Sequence, residues 1–90
     1  MIARRITYKG QFNQEALGII FDVTRKNEIT GQVKMVSDRE IVLNLEGDPS
    51  FIKLIQHQIE RKAKAFIKDK TVEQIPYQRY VGVTLLNCPT

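Results

Sequence analysis

The chain has a single cysteine, a single histidine and no tryptophan. Cys88 has no partner for an internal disulfide, and with His57 it cannot supply the ligands of a zinc site. No apolar run approaches the roughly 20 residues that cross a bilayer. Arg4 and Arg5 are followed by an alternating, strand-like segment and not by the apolar core of a signal peptide. We therefore expect a cytoplasmic protein that binds no metal ion and enters no membrane.

Glycine is also scarce, and the five glycines are not grouped. Gly10 and Gly18 are isolated, so the sequence has neither a Walker loop nor a dinucleotide-binding fingerprint. The spacing of Ser37, Asp38 and His57 does not support a catalytic triad. We therefore expect no cofactor, and these motifs identify no catalytic residue.

The composition is that of one folded domain. Hydrophobic residues make up 42% and charged residues 27% of 90 residues, which is ordinary for a globular chain. This length predicts one domain, residues 1–90, of which residues 87–90 are expected to form a flexible tail. Fourteen basic residues against ten acidic residues give a net charge of +4, which favours an anionic partner.

Several segments alternate with the period of two that half-buried strands show. In the first, Ile6 and Tyr8 share one side of the strand. The second and third are joined by the turn at residues 37–39 and predict a hairpin. One or two more strands are expected from Ile67 onward, on either side of Pro76. The alternating segments are residues 4–9, 29–35, 40–45 and 81–86.

Two segments have helical spacing and recognisable starts. Asn13 is a good N-cap for the first helix, which is expected to end near Asn27. Asp48 followed by Pro49 starts the second helix, which is expected to end near Ala65. The predicted buried stripes are Ala16, Ile19, Ile20 and Val23 in the first helix, and Ile52, Ile55, Ile59 and Phe66 in the second.

The resulting order, β-α-β-β-α-β, predicts the α+β class and a ferredoxin-like sandwich. Both helices are expected to cover one face of an antiparallel sheet, with a short extra strand at the end of the chain. The other face is expected to be polar and somewhat basic. The residues predicted on it are Arg5, Thr7, Lys9, Thr30, Gln32, Lys34 and Asn44.

The predicted open face argues against a nucleic-acid partner. Domains of this kind that bind RNA stack bases on aromatic residues of their central strands. The first three strands carry no aromatic residue on the open face, since Tyr8 points to the helix side and Phe12 falls in a loop.

A series of short motifs between Ile6 and Gly47 carries a family resemblance. The strand ITYKG, ending at Gly10, leads through a loop into a helix. The segment GQVKM at residues 31–35 follows, then the turn SDR, then LEG at residues 45–47. This series resembles the acylphosphatases, small ferredoxin-like enzymes that hydrolyse acyl phosphates. Their pattern is a strand, a glycine-bearing phosphate loop, a helix, G-W-V-x-N, a turn, and E-G.

The resemblance implies a phosphate site, but the residues depart from the pattern there. The family's phosphate-gripping arginine falls at or near Leu17, and the asparagine that positions the attacking water falls at Met35. The loop is also one residue shorter and carries Glu15 where phosphate would sit. One oriented polar group is commonly worth about 2.7–4 kcal/mol in a transition state. We therefore expect no catalysis.

Besides a nucleic-acid-binding domain, which the open face disfavours, two alternatives that rest on resemblances remain open. In the first, the chain is an acylphosphatase with an atypical arginine, for which Arg5, Arg25 and Arg39 are the candidates. In the second, residues 27–31 and 45–47 resemble BLUF domains, the blue-light sensors that bind flavin. Tyr8 would match their photoactive tyrosine. Their flavin-contacting glutamine, however, would fall at Leu43, and the segment between the two motifs is one residue longer here.

The sequence thus predicts a non-catalytic acylphosphatase-like module that binds a protein partner or an anionic ligand. The loop amides and the first helix N-terminus are the candidate anion site. The candidate residues there are Gly10, Gln11, Phe12, Asn13, Gln14, Glu15 and Ala16. On the sheet face they are Arg5, Lys9 and Lys34. Self-association through an edge strand, giving a homodimer, is an equally open expectation, because residues 81–86 are apolar enough to need a neighbour.

Overall fold

The structure is a computed structural model that describes residues 1–87. It confirms the predicted order of elements and the extra terminal strand. The elements are β1 (Ile2–Gly10), α1 (Gln14–Arg25), β2 (Thr30–Ser37), β3 (Glu40–Gly47), α2 (Pro49–Lys62), β4 (Ile67–Ile75) and β5 (Val83–Asn87). Asn87 ends β5, so the first residue of the predicted tail belongs to the sheet. Cys88 and the rest of that tail lie outside the described residues.

The five strands form one sheet in the order β4-β1-β3-β2-β5. β1 pairs antiparallel with β3 and β4, and β2 pairs antiparallel with β3. This is the expected antiparallel sheet. β5, however, runs parallel to β2, which makes the whole sheet mixed. The reason is the connection at residues 76–82, which carries the chain from the β4 edge to the opposite edge.

Both helix starts are capped as the sequence predicts. The Asn13 Oδ1 atom accepts the Ala16 N–H at 2.9 Å. The Asp48 Oδ1 atom accepts the Ser50 N–H at 2.8 Å, with Pro49 in the first turn. Such caps satisfy backbone donors that have no partner inside the helix. Within residues 1–87, neither helix is long and apolar enough to cross a membrane.

The prediction for the end of α2 was wrong. The helix ends at Lys62, and Phe66 therefore does not belong to its buried stripe. The N–H of Ala63 still donates to the Ile59 carbonyl at 2.8 Å, but the N–H of Phe66 donates to the Ala63 carbonyl at 3.0 Å. These bonds turn the chain towards β4, and Phe66 packs partly buried against the core from the turn.

The core lies between the helices and one face of the sheet. Ile6 and Tyr8 of β1 are fully buried there, whereas Arg5 and Lys9 are exposed on the other face, which confirms the alternation. Each fully buried aliphatic side chain stabilises the fold by about 1.5–3 kcal/mol. The largest fully buried aliphatic side chains are Ile6, Leu17, Ile20, Val33, Ile41, Leu43, Leu45, Ile52, Ile55 and Ile59.

Candidate functional site

The loop between β1 and α1 is only three residues long and is bonded to the β2–β3 turn. The Gly10 N–H donates to the Arg39 carbonyl at 3.0 Å. The Phe12 N–H donates to the Asp38 carbonyl at 2.7 Å. Two backbone donors of the candidate phosphate loop are therefore already satisfied by the protein itself.

The same loop is bonded on its other side to the turn after α2. The Gln11 N–H donates to the Phe66 carbonyl at 2.9 Å. The two segments approach so closely that a Cβ atom at Gly10 would overlap the Phe66 carbonyl oxygen. The close approach of the two backbones therefore accounts for a glycine at position 10, whether or not the loop binds phosphate.

Few N–H groups of the candidate anion loop remain for a ligand. Of the seven residues from Gly10 to Ala16, four donate to the protein, including Ala16 to its N-cap. Within residues 1–87, the N–H groups of Asn13, Gln14 and Glu15 have no protein acceptor. All three lie at the start of α1, where the Glu15 carboxylate adds a negative charge. The loop therefore cannot surround an anion with amides along its whole length.

The two residues predicted at the family's catalytic positions lie in the core. Leu17 is 2% exposed and Met35 is 8% exposed, and both pack in the central hydrophobic cluster. A thioether is at most a weak acceptor, and a leucine side chain has no polar atom. Neither side chain can grip a phosphate or orient a water molecule.

The three candidate arginines occupy very different places. Arg5 lies on the open sheet face, where its Nε donates to Asn44 Oδ1 at 2.9 Å. Arg25 is at the end of α1 and pairs with Asp22 at 3.2 Å. Hydrogen bonds from Lys26 and Arg25 lower the pKa of Asp22. Arg39 alone of the three candidates contacts the candidate loop, through its carbonyl.

The open sheet face carries the predicted polar residues. Arg5 also lies 3.8 Å from Glu73 of β4. Lys34 stands opposite Val42 of β3, and within residues 1–87 neither Lys34 nor Lys9 has a carboxylate within 4.0 Å. The face is therefore polar, and Glu40 and Asp69 stand opposite Lys9 in the strand registers.

Two shallow depressions flank the loop, and sequence reasoning identified only part of each lining. The first, of about 540 Å³, is lined by Lys9, Gly10, Gln11, Ser37, Arg39, Glu40 and Lys68. The second, of about 570 Å³, is lined by Gln11, Phe12, Asn13, Asp38, Arg39, Ala65 and Phe66. Arg39 lines both. Its approach to the loop depends on the hairpin packing against the β1–α1 connection, which no local pattern reveals.

Tyr8 is buried and bonded, although it is the proposed match to a photoactive tyrosine. Its hydroxyl donates to Glu60 Oε2 at 3.2 Å, and Glu60 also pairs with Lys70. Burial, and then the negative charge of Glu60, raise the pKa of Tyr8. Leu43, at the position of the flavin-contacting glutamine, is fully buried in the core.

His57 is exposed on α2 and lines a separate depression of about 490 Å³ with Lys53, Glu60 and Lys70. Among residues 1–87, no three histidine, cysteine or carboxylate side chains are grouped so that they could hold a metal ion.

Comparison with known proteins gives no match by sequence and clear matches by structure. No family model matches the chain, and no curated protein matches it. The chain is similar to an acylphosphatase from Bacillus subtilis, with a TM-score of 0.84 and 15% identity, over 96% of this chain and 99% of that chain. It is also similar to full-length HypF in a phosphate- and nucleotide-bound form, with a TM-score of 0.80 and 19% identity, over 94% of this chain and 12% of that chain.

BLUF domains match at lower TM-scores. The BLUF domain of BlrP1 has a TM-score of 0.63 and 16% identity, over 97% of this chain and 66% of that chain. At these identities the likeness concerns the fold, and the residues of the site must decide the activity. The backbone of this chain has the acylphosphatase fold.

Proposed function

We propose that this chain is a non-catalytic binding module on the acylphosphatase fold, which binds an anionic ligand or a protein partner. The observation that carries the proposal is the bonding of the β1–α1 loop, where the N–H groups of Gly10, Gln11 and Phe12 all donate to protein carbonyls. An acyl phosphate in this loop would have to replace these backbone hydrogen bonds, and buried backbone donors left without partners are costly.

The side chains at the two family positions support the same proposal. Leu17 and Met35 are buried, and neither supplies a charge or a strong hydrogen bond. A reaction that develops charge on phosphate oxygens needs oriented donors at that place. The chain lacks them at both positions that the resemblance assigns.

The test is hydrolysis of acetyl phosphate and benzoyl phosphate by the purified protein, with the Bacillus subtilis acylphosphatase as a positive control. We expect a rate equal to that of the no-protein control. Saturable turnover that co-purifies with the folded protein through successive columns would overturn the proposal.

A second candidate function is acylphosphatase activity with Arg39 as an atypical arginine. It is favoured by one observation, that Arg39 lines both depressions beside the loop. This candidate predicts turnover by the wild-type protein and its loss in Arg39→Gln, with Arg25→Gln as the matched control at the far end of α1. Turnover that survives Arg39→Gln excludes this arginine.

The BLUF alternative is tested by colour. A flavin photosensor is yellow when purified, and we expect this protein to be colourless even when flavin is added during purification. The Tyr8 hydroxyl already donates to Glu60, so a flavin would have to displace that carboxylate to reach it. A bound flavin with a light-dependent spectral shift would support the photosensor instead.

A further inference from the structure

We propose that the depression between the end of β1, the β2–β3 turn and the start of β4 binds a phosphate dianion, either free or as a small phosphate ester. Lys9, Arg39 and Lys68 supply the charge. The inference rests on the proposed binding function and assigns that function a place and a ligand chemistry. The site lies beside the β1–α1 loop and does not use the loop amides as its main donors.

Charge is the first argument for this depression. Its lining holds three cations and one carboxylate, Glu40, which leaves a net charge of +2. Within residues 1–87, none of the three cations has a carboxylate within 4.0 Å. No ion pair within that distance neutralises them. Glu40 and Asp69 stand opposite Lys9 in the two strand registers, so Arg39 and Lys68 supply most of the charge that is available to a ligand. A phosphate dianion has the complementary charge.

The linings of the two neighbouring depressions do not have this excess of positive charge. In the one on the other side of the loop, Arg39 is the sole cation and Asp38 offsets it. In the one along α2, Lys70 is already paired with Glu60. The depression that contains Lys9 and Lys68 is therefore the most cationic of the three.

Rigidity of the backbone is the second argument. The Gly10 N–H bond to Arg39 and the Gln11 N–H bond to Phe66 fasten three separate segments to one another. Lys9 precedes the first of these donors, and Lys68 follows shortly after Phe66. The backbone segments that carry the cations are thus already held together. Binding therefore loses less backbone conformational entropy than it would on a flexible loop.

Ser37 adds a directional donor. Its Oγ atom accepts the Arg39 N–H at 3.1 Å, and within residues 1–87 its own hydroxyl proton has no acceptor. A serine hydroxyl can accept and donate at once, so the proton is free for a phosphate oxygen. The Arg39 guanidinium can add two parallel hydrogen bonds, which suits phosphate geometry.

The lining also limits what the phosphate can be attached to. Among the described residues, 1–87, no aromatic ring lines the depression, so none of them can stack on a nucleobase there. Glu40 opposes ligands that place further negative charge beside the phosphate. The chemistry that fits is one phosphate group on a small, otherwise uncharged body.

The test is a calorimetric titration with two probes, inorganic phosphate and glycerol phosphate. The variants are Arg39→Gln and Lys68→Gln, and the matched control is Lys53→Gln, which removes another exposed cation, from a different depression. We expect saturable binding that weakens as salt is added. Each site variant should weaken it about two- to fivefold, as expected for one exposed charge-assisted contact, and the control should leave it unchanged.

The outcomes are separable from those of the hydrolysis test. Equal binding by the wild-type protein and both site variants, or no saturable binding of either probe, overturns the phosphate site without showing any catalysis. Turnover of acyl phosphates overturns the non-catalytic function whatever the titrations show. Tighter binding of glycerol phosphate than of inorganic phosphate identifies an ester as the ligand, and the reverse identifies the free anion.

Discussion

The buried Glu46 carboxylate of β3 accepts the backbone N–H of Tyr80 at 2.7 Å. It also accepts the N–H of Arg79 at 3.0 Å and that of Gln78. Arg79 has a φ of 60°, and this left-handed residue helps three successive N–H groups converge on one anion. The carboxylate thus fixes the connection that carries the chain from β4 across to β5.

Replacing this carboxylate should weaken both the connection and the strand after it. Glu46→Ala leaves three backbone donors without their acceptor, and we expect the free energy of unfolding to fall by about 3 kcal/mol. Glu46→Gln keeps an acceptor oxygen and should lose less. Urea denaturation measures both changes, and amide exchange should accelerate first in Val83–Asn87.

The matched control for this prediction is Glu28→Ala. Glu28 is exposed, and within residues 1–87 it takes part in no hydrogen bond or ion pair. We expect a change within about 0.5 kcal/mol. If Glu46→Ala and Glu28→Ala unfold at the same urea concentration, the carboxylate does not hold the connection.

Local patterns predicted the elements, but they could not predict this connection. Alternation placed Ile6 and Tyr8 on the helix side, and Asn13 and Asp48 marked the helix starts, because these signals act over a few residues. The connection that leads to the parallel strand β5 is bonded to Glu46, which lies more than 30 residues away in the chain, and no local pattern reveals such a contact. The cluster of Lys9, Arg39 and Lys68 likewise comes from the end of β1, the β2–β3 turn and the start of β4, which only the tertiary fold brings together.

Gly18 lies inside α1 and offers a stabilising substitution. A Cβ atom added there meets nothing within 4 Å, and glycine in a helix interior costs about 0.5–1 kcal/mol relative to alanine. We expect Gly18→Ala to raise the free energy of unfolding by that amount. Thermal and urea denaturation measure it.

Gly10→Ala is the contrasting variant. Its Cβ would overlap the Phe66 carbonyl oxygen, so the loop and the turn after α2 must separate. We expect a loss of about 1–3 kcal/mol, as for other substitutions that force backbone shifts. A stable Gly10→Ala protein would show that these segments do not approach as closely as described.

Tyr8 should make the protein sensitive to alkaline pH. Because burial and Glu60 raise its pKa, the folded protein keeps the phenol proton where the unfolded chain loses it. The folded state therefore binds more protons above a pH of about 10, and the free energy of unfolding falls there by up to about 1.4 kcal/mol per pH unit. Below that pH both states are protonated and this contribution is constant.

Urea denaturation between neutral and alkaline pH measures this dependence. Tyr8→Phe should remove the contribution of Tyr8 to the alkaline fall in the free energy of unfolding. Tyr77→Phe changes a half-exposed tyrosine and should retain that contribution. An identical alkaline slope in wild type and Tyr8→Phe would contradict the assignment.

Restoring the family residues at their aligned positions should fail for a structural reason. Leu17→Arg places a charge at a site that is 2% exposed and lies in the hydrophobic core cluster, and should destabilise the protein by several kcal/mol. Gly18→Arg puts the same side chain at the next, exposed position, where space is open, and should fold. Denaturation and acetyl phosphate hydrolysis are measured for each, alone and with Met35→Asn. A Leu17→Arg protein that folds as stably as the wild type would show that this position faces the loop and not the core, and the case against catalysis would then lose its main structural support.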